Sequence, residues 1–401
     1  MAGLAGLAIK KGYKVTGQDK AYYPPMSEQL NLLGIRQNKT EEIINDLKIC
    51  DVVIIGNSQS RGIESVEYTL NNQLKYFSGP EWIRKYILND KFVFVVSGTH
   101  GKTTTTSMLI KILQENNLDP SYILGGIHLE EKISYKFTKS KYFIIEGDEY
   151  DTSFFDKRSK FMHYKPSTLI INNLEYDHSD IFENIGQIQK QFHFMIRSMP
   201  GNANIIYDDN EENVKKIISM GCWSKKNIYK KASVIKNIVG EHNLKNCGAA
   251  IAAAETIGVS KENSIKALEK FSGVKRRMER IKSKNFILYD DFAHHPTAIS
   301  ASIKALREKY PGNKITAFFE IRSNSMVNGT HKDNFLKSFE NADNIYIYCK
   351  NSVEWLKAIP GVDLYNDIDL VVNKIKSSTE NVDIVILMSN GDTTHIINKL
   401  K

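Results

Sequence analysis

The stretch Phe92-Val-Phe-Val-Val-Ser-Gly-Thr-His-Gly-Lys-Thr-Thr-Thr-Thr106 joins an apolar run to a glycine-rich turn and a polar helix start. The β-branched and aromatic run predicts a buried strand. Gly98 and Gly101 allow the backbone to direct N–H groups inward, and a helix that begins near Thr103 points its positive end at an anion. We expect Lys102 to add a point charge and the hydroxyl of Thr103 to be available as a ligand for Mg²⁺. We therefore interpret this stretch as a phosphate-binding loop.

The loop departs from the general P-loop pattern at one position, because Val96 stands where that pattern has its first glycine. We interpret it as a shorter variant, supported by the strand before it and the helix after it. The alternative is an ordinary strand-to-helix turn. The Lys-Thr pair that directly follows Gly101 disfavours that alternative.

The composition is that of a globular protein with two or three domains. The chain has 401 residues, of which 41% are hydrophobic and 25% charged. The formal net charge of +8 suits an anionic ligand, but the basic residues are dispersed and form no arm for nucleic acid. We therefore expect a basic, solvated surface and no nucleic-acid partner.

The cysteines and the hydropathy pattern indicate the compartment. The four cysteines are far apart and form no C-x-x-C pair, so neither a zinc site nor a disulfide framework is predicted. There is no apolar stretch long enough to span a bilayer and no signal-peptide pattern. We expect a cytoplasmic protein without a membrane partner, and a monomer.

The N-terminal region has the pattern of a small α/β nucleotide-binding unit. Residues 1–12 resemble the second half of a glycine-rich turn and its helix, and the strand Lys14-Val-Thr-Gly17 leads to Asp19. A further strand, Asp51-Val-Val-Ile-Ile-Gly56, ends at the polar turn Asn57-Ser-Gln-Ser-Arg-Gly62. A helix that packs on a sheet through its small residues explains the glycines equally well.

Acidic and imidazole side chains follow two strands near the phosphate loop. Glu146-Gly-Asp-Glu-Tyr-Asp151 comes after the strand Tyr142-Phe-Ile-Ile-Glu146, and Asn173-Leu-Glu-Tyr-Asp-His178 comes after a second buried strand. Because parallel strands end at one edge of a sheet, these groups predict a Mg²⁺ site beside the phosphates. The alternative is that the acids only terminate strands and cap helices.

The second half of the chain continues the α/β rhythm. Gly240-Glu-His-Asn-Leu-Lys-Asn246 enters an alanine-rich helix whose start could contact a base, or be capped by Asn243. Arg277 lies in a basic hinge segment and could reach a phosphate. Alternating strands and helices then predict another parallel sheet. Its strand ends carry the polar segments Asp290-Asp-Phe-Ala-His-His-Pro296, Glu320-Ile-Arg-Ser-Asn324 and Ser389-Asn-Gly-Asp392.

Four of these segments resemble, in order, the successive motifs of the Mur ligase family, whose members form amide bonds with ATP in peptidoglycan metabolism. They are Gly98-Thr-His-Gly-Lys-Thr103, Asn173-Leu-Glu-Tyr-Asp-His178, Gly240-Glu-His-Asn-Leu-Lys-Asn246 and Asp290-Asp-Phe-Ala-His-His-Pro296. The resemblance implies an α/β fold with three domains. These would be an incomplete Rossmann-like domain at 1–89 that binds the UDP substrate, a central P-loop ATPase-like domain at 90–272, and a peptide-binding Rossmann-like domain at 273–401.

Other segments resemble one branch of the family, which joins UDP-N-acetylmuramate to the tripeptide L-alanyl-γ-D-glutamyl-meso-diaminopimelate in peptidoglycan recycling. They are Glu146-Gly-Asp-Glu-Tyr-Asp-Thr-Ser-Phe-Phe-Asp-Lys-Arg-Ser-Lys-Phe161, Val52-Val-Ile-Ile-Gly-Asn57, Ser78-Gly-Pro-Glu-Trp82 and Glu320-Ile-Arg-Ser-Asn324. The implied reaction activates the lactyl carboxylate as an acyl phosphate, which the alanine amine of the tripeptide then attacks.

The resemblance also implies roles for individual residues, with ATP and Mg²⁺ as cofactors. Lys102, Glu146 and His178 would be catalytic, and Thr103, Glu146 and His178 would hold metal. The implied ATP contacts are Gly98, Thr99, His100, Gly101, Lys102, Thr103, Thr104, Asn173, His242, Asn243, Asn246, Arg277 and Asp291. The implied contacts to UDP-N-acetylmuramate and the peptide are Gly3, Asp19, Asn57, Arg61, His294, Arg322 and Ser323.

Other functions stay open at the level of sequence. The sister ligase that adds only L-alanine shares the ATP motifs, and a folate-type polyglutamate ligase shares the phosphate loop. A non-catalytic remnant that binds ATP is a third alternative, because the chain starts within the glycine-rich loop that opens family members. From this we expect a chain shortened at its N-terminus that lacks the first strand of the sheet.

Overall fold

The computed structural model describes residues 1–19, 22, 26–35, 40–351, 353–357, 362–380 and 382–401. These residues form two compact units. The first unit comprises Met1–Glu175, Asn184–Lys230 and Ala249–Leu268, and the second comprises Tyr176–Glu183, Lys231–Gly248 and Glu269–Lys401.

The first unit opens with helices around a pair of short parallel strands. The elements are α1 (Ala2–Lys10), α2 (Met26–Leu32), α3 (Thr40–Ile49), β1 (Val53–Ile55), α4 (Glu64–Asn71), β2 (Tyr76–Ser78) and α5 (Gly79–Tyr86). Helix α5 starts with a capping box, in which Ser78 accepts from the N–H of Glu81 and the Glu81 carboxylate accepts from the N–H of Ser78. The predicted strand at 14–17 is wrong. A β-ladder requires a partner over several residues, and this segment has a bridge only at Gly17.

The phosphate loop lies in a seven-stranded sheet with the order β11-β10-β9-β3-β6-β4-β5, which is parallel except for β5. Its strands are β3 (Phe92–Ser97), β4 (Ser121–Ile123), β5 (Tyr135–Lys136), β6 (Tyr142–Gly147), β9 (Thr168–Ile171), β10 (Asn204–Tyr207) and β11 (Lys225–Ile228). A separate hairpin comprises β7 (Asp151–Ser153) and β8 (Asp156–Ser159) and is followed by a 3₁₀ turn, Lys160–His163. The helices of this part are α6 (Lys102–Glu115), α7 (Ile185–Ser198), α8 (Glu212–Ser219) and α10 (Lys261–Leu268). Helix α9 (Glu241–Glu255) begins in the second unit and ends in the first.

The second unit contains a six-stranded sheet with the order β12-β13-β17-β14-β15-β16, in which only β12 is antiparallel to its neighbour. Its strands are β12 (Glu279–Ile281), β13 (Ile287–Asp291), β14 (Ile315–Glu320), β15 (Asn344–Tyr348), β16 (Asp363–Tyr365) and β17 (Ile384–Met388). Its helices are α11 (Pro296–Lys309), α12 (Asn324–Val327), α13 (Lys332–Phe335), α14 (Glu354–Lys357), α15 (Ile368–Ser378) and α16 (Thr394–Leu400), with a 3₁₀ turn at Leu336–Phe339.

The central strands of both large sheets are buried, as parallel sheets require, whereas the edge strands β11 and β16 are partly exposed. Strand β3 is buried from Val93 to Ser97, and β17 is buried along its whole length. In the second unit, one face of the sheet packs on Ile299, Ile303 and Leu306 of α11, and the other packs on Val371 and Ile375 of α15. This packing positions the carboxyl ends of the central strands, where ligands bind in open α/β sheets.

Within the described residues, no helix is both long enough and apolar enough to cross a membrane. The four cysteines are free thiols, and Cys247 and Cys349 are buried.

Candidate active site

The phosphate loop connects β3 to α6 through two glycines with left-handed backbone. Gly98 has φ +125° and Gly101 has φ +78°. A Cβ atom on Gly98 would lie 2.8 Å from the carbonyl oxygen of Asn173, so the loop passes too close to its neighbour for any side chain there. Helix α6 then begins at Lys102, directly after the second glycine. The N–H groups of its first turn have no partner within the helix, which suits an anion.

The segment after β9 fixes the shape of the loop. The side-chain oxygen of Asn173 accepts from the backbone N–H of His100 at 2.8 Å, and its backbone carbonyl accepts from the N–H of Thr99 at 3.3 Å. The hydroxyl of Thr99 accepts from the N–H of Glu175 at 2.8 Å. Asn173 was predicted as an ATP contact, and here it positions the loop backbone. His100, predicted in the same role, lies with its Nε2 3.3 Å from a carboxylate oxygen of Glu175.

Lys102 is surrounded by oxygen acceptors. Its ammonium donates to the carbonyl of Gly98 at 2.6 Å and to the carboxylate of Glu149 at 3.0 and 3.3 Å. Burial lowers the pKa of Lys102, but the charges of Glu149, Asp148 and Glu146 outweigh burial, and the pKa is raised. Lys102 is therefore a fixed positive charge at the loop, as phosphate binding requires.

Thr103 and Glu146 lie together, as the metal prediction requires. The hydroxyl of Thr103 donates to one carboxylate oxygen of Glu146 at 3.0 Å, and the N–H of Gly125 donates to the other at 2.5 Å. Thr103 is buried, and Thr104, the next residue of α6, is half-buried. A hydroxyl beside a carboxylate oxygen at the first turn of the helix is a donor set that fits Mg²⁺, which prefers oxygen ligands.

His178, the third predicted metal ligand, belongs to the second unit. It adopts a left-handed backbone with φ +58°, and its N–H donates to the side chain of Asp177 at 2.7 Å. The hydroxyl of Ser325 donates to the same oxygen at 3.0 Å. Burial raises the pKa of Asp177, but His178, His294 and His295 outweigh it, and the pKa lies well below its usual range. Asp177 is thus a buried anion that orders the backbone at His178.

The start of α9 carries the residues predicted to contact adenine. Burial lowers the pKa of His242 to about 4, so its imidazole is neutral near pH 7. Asn243 donates to the carbonyl of Val239 at 2.8 Å, and Asn246 donates to the side-chain oxygen of Asn243 at 3.3 Å. Gly240 precedes them with φ +87°. Neutral imidazole and amide groups are suited to hydrogen bonds with a base, and the adenine assignment stays a prediction.

Asp291 and Arg277 flank the turn after β13. Asp291 accepts from the backbone N–H groups of Met278 at 2.8 Å and Ala293 at 2.7 Å, and burial raises its pKa. The guanidinium of Arg277 lies 4.7 Å from the ring centroid of Phe292. Asp291 therefore holds two backbone segments in place, and its predicted contact to ATP stays a prediction, as does that of Arg277.

A buried ionic network lies beside these residues. Arg276 donates to the carbonyl of Ser389 at 2.6 Å and lies 3.4 Å from the carboxylate of Asp290. Thr393 donates to Asp290 at 3.0 Å. Burial raises the pKa of Asp290 to about 6, although Arg276 and Thr393 oppose the shift.

The predicted peptide residues of the second unit lie at two strand ends. Arg322 packs closely on Gly391, where a Cβ atom would lie 2.5 Å from a guanidinium nitrogen of Arg322. Ser323 precedes α12, and its hydroxyl is buried with no hydrogen-bond partner among the described residues. Ser389 of the facing turn donates to Glu320 at 2.5 Å. The ring Nδ1 of His294 lies 2.9 Å from the carbonyl of Phe292.

The predicted substrate residues of the first unit are spread over several elements. Asn57 donates to the side chain of Asp151 at 2.7 Å. Arg61 is exposed and forms a two-point ion pair with Glu67 at 2.9 and 3.0 Å. Asp19 is exposed.

Gly3 lies inside α1, where a Cβ atom would be 3.5 Å from Ser134, in ordinary contact. In the structure this glycine therefore packs a helix against its neighbour, which is the alternative that the sequence left open. The substrate roles of Gly3, Asp19, Asn57 and Arg61 stay predictions.

Sequence reasoning missed Glu149, Arg276 and Asp290. Glu149 belongs to the acidic segment after β6, but nothing in the order of its acids shows which one faces Lys102. Arg276 and Asp290 each stand beside a residue that was selected, Arg277 and Asp291. The sequence shows each of these residues as one of two adjacent like charges. Which member of a pair enters the network depends on the local backbone, and Arg276 has a left-handed backbone with φ +60°.

Comparison with known proteins gives a consistent result along the chain. Residues 1–91 match the Mur ligase family catalytic domain, residues 96–254 match the Mur ligase middle domain, and residues 276–391 match the Mur ligase glutamate ligase domain. The UDP-N-acetylmuramate–L-alanyl-γ-D-glutamyl-meso-2,6-diaminoheptandioate ligase of Haemophilus influenzae is 41% identical, over 100% of this chain and 96% of that protein. The UDP-N-acetylmuramate–L-alanine ligase of Clostridium tetani is 29% identical, over 98% and 93%.

A solved structure of the same kind of ligase also aligns with this chain. The crystal structure of a murein peptide ligase from Psychrobacter arcticus aligns with a TM-score of 0.75 and 33% identity, and the alignment covers 100% of this chain and 95% of that one. The fold is thus the three-domain α/β architecture of these ligases. This chain belongs to the Mur ligase family.

Proposed function

We propose that this protein is the ATP-dependent, ADP-forming ligase that joins UDP-N-acetylmuramate to L-alanyl-γ-D-glutamyl-meso-diaminopimelate in peptidoglycan recycling. The observation that carries the ATP dependence is the half-buried Lys102 at the phosphate loop, next to the Thr103–Glu146 pair. The tripeptide is favoured over L-alanine because the relative named for the tripeptide is 41% identical and the one named for L-alanine is 29% identical. We also propose that the enzyme acts in the cytoplasm, as a monomer.

The chemistry requires an activated carboxylate. The lactyl carboxylate oxygen attacks the γ-phosphorus of ATP, the bond to the β-phosphate oxygen breaks, and ADP leaves. The amine of the tripeptide then attacks the carbonyl carbon of the acyl phosphate, passes through a tetrahedral intermediate, loses a proton, and expels phosphate. Phosphoryl transfer depends mainly on positioning and on charge neutralisation.

The residues of the phosphate loop supply both the positioning and the charge neutralisation. The N–H groups after Gly98 and at the start of α6 orient the phosphates, and Lys102 compensates charge on the transferred group. Asn173 keeps the loop in the binding conformation. Mg²⁺, held by Thr103 and Glu146 with His178 proposed for a second ion, would neutralise charge on the phosphate oxygens.

The test is phosphate release from ATP and Mg²⁺ with UDP-N-acetylmuramate, with the tripeptide or L-alanine in separate reactions. We expect release that requires the tripeptide, with the coupled product detected by mass. Lys102→Ala is expected to abolish it, whereas Lys190→Ala, at an exposed lysine of α7, is a control that retains it. Release with L-alanine alone would reassign the enzyme to the sister ligase. No release in either reaction would contradict catalysis.

A further inference from the structure

The three protons of the Lys102 ammonium are all used in the structure. They face the carbonyl of Gly98 at 2.6 Å, the carbonyl of Thr99 at 3.4 Å and the carboxylate of Glu149 at 3.0 Å. An ammonium has three donors and no more. A phosphate oxygen that binds Lys102 must therefore displace one of these acceptors.

The side chain of Glu149 is held in place by its neighbours in the chain. It is only 2% exposed. The residue before it, Asp148, forms an ion pair with Lys160 at 2.7 Å, and Asp151 accepts from Asn57 at 2.7 Å. The carboxylate at Lys102 is thus anchored on both sides of Glu149, and its position is not a chance rotamer of an exposed side chain.

A carboxylate and a phosphate share the features that a lysine recognises, namely negative charge and acceptor oxygens. We propose that Glu149 is a placeholder for phosphate: its carboxylate pairs with Lys102 while the nucleotide is absent and gives the lysine up when the phosphates of ATP arrive. This proposal rests on the ATP dependence of the proposed function. Glu149 is then a positioning residue that keeps Lys102 charged and oriented, and it also competes with the nucleotide.

The placeholder has a measurable consequence for affinity. Glu149→Gln keeps the volume and one acceptor oxygen but removes the negative charge that competes with the phosphates. We expect the Kd for an ATP analogue to fall by about tenfold, since a like charge near a buried site costs at least that factor. Without nucleotide the variant leaves the half-buried Lys102 ammonium with a neutral partner, so its thermal midpoint falls. The increase in the midpoint on adding nucleotide is therefore larger than in the wild type.

The experiment is calorimetric titration of the full-length protein with a non-hydrolysable ATP analogue, with and without Mg²⁺. A matched control is Glu130→Gln, because Glu130 pairs with Lys111 of the same helix α6 at 3.1 Å and Lys111 keeps Glu115 as a second partner at 3.1 Å. That control removes an equal charge from a lysine pair and is expected to change Kd by less than about twofold. Glu149→Asp retains the charge and shortens the side chain, and we expect a smaller gain in affinity, which keeps the test valid if Glu149→Gln folds poorly.

Two results would overturn the placeholder. The first is an unchanged or higher Kd in Glu149→Gln and Glu149→Asp. The second is a gain that persists in the background Lys102→Met, because competition for the lysine requires the lysine. If the wild type binds the analogue but releases no phosphate with either the tripeptide or L-alanine, the ligase assignment fails. The placeholder role of Glu149 is then judged only by the Kd values of the variants. If no form binds the analogue, both are wrong.

Discussion

The phosphate loop of the first unit follows β3, and the turn at residues 389–392 of the second unit, called here the Ser389 turn, follows β17. Both strands are central and parallel, but different interactions fix the two segments. The loop is held mainly by neutral amide contacts from Asn173 and by left-handed glycines. The turn is held by a buried charge network in which Arg276 bridges Asp290 and the carbonyl of Ser389. We therefore expect added side-chain volume to disturb the phosphate loop, and we expect the stability contributed by the Ser389 turn to depend on pH.

The largest effect on stability and activity is expected at Gly98, where the close approach of the backbone leaves no room for a side chain. Gly98→Ala places a Cβ atom 2.8 Å from the Asn173 carbonyl in a backbone with φ +125°. We expect a loss of about 2 to 4 kcal/mol in stability. The loop is also displaced, so the rate of phosphate release should fall by about a hundredfold or more.

The matched control for Gly98 is Gly258→Ala, because Gly258 also has a left-handed backbone, φ +87°, but open space around its Cβ position. It should cost about 1 kcal/mol and leave activity intact. Equal losses of activity in the two variants, measured by phosphate release and thermal unfolding, would show that the close approach to Asn173 has no special role.

The second effect tests the charged turn through pH. The pKa of Asp290 rises from 3.8 in the unfolded chain to about 6 in the folded protein. Between these values the unfolded chain releases the proton while the folded protein keeps it, so stability falls as pH rises. The total is about 3 kcal/mol at most, complete above pH 6 and absent below pH 3.8. Asp290→Asn cannot ionise, and its unfolding free energy should fall less between pH 4 and pH 7.

Urea unfolding at the two pH values measures this difference. Asp383→Asn is the control, since Asp383 is also buried and accepts the N–H of Glu380 at 2.8 Å. If both variants show the pH dependence of the wild type, Asp290 does not titrate in this window and the contrast between the two turns is lost.

A third effect concerns the amide that shapes the loop. Asn173→Ala removes the acceptor of the His100 N–H at 2.8 Å and a donor to the His100 carbonyl at 3.3 Å. We expect a loss of about 1 to 2 kcal/mol and an increase in KM for ATP of about tenfold. Asn227→Ala in β11, which removes contacts to Asn204 and Lys225, should leave KM unchanged. An unchanged KM in Asn173→Ala would mean that the loop keeps its shape without this clamp.

The difference between the two regions also explains what the sequence could predict. The phosphate loop is contiguous, so its strand, glycines, lysine and hydroxyl were identified together, and the structure has them in β3, the connecting loop and α6. The network of the second unit joins Arg276, Asp290 and Thr393, which are over a hundred residues apart at the extremes. Long-range pairing of this kind depends on strand order, which periodicity does not encode.

The local hydrophobic pattern also did not predict short or polar strands correctly. The hairpin β7–β8 contains the polar run Asp156–Ser159, which lacks the apolar alternation of a strand, and it is formed by its own cross-strand pairing. The segment at 14–17 has the alternation, but among the described residues it forms only the single bridge at Gly17. In both cases tertiary pairing, and not intrinsic propensity, decides whether a strand forms.

The smallest effect on stability is expected at Arg61, which was predicted to contact substrate. The side chain is exposed, and its pairing with Glu67 lowers the pKa of that carboxyl to about 2. Exposed ion pairs contribute little because water and salt screen them, so Arg61→Ala should not shift the thermal midpoint measurably. If Arg61 binds UDP-N-acetylmuramate, KM for that substrate rises while KM for ATP stays constant. Glu67→Gln is the matched control, since it breaks the same pair but leaves the guanidinium. An equal rise in KM in both variants would assign the effect to the pair and not to a substrate contact by Arg61.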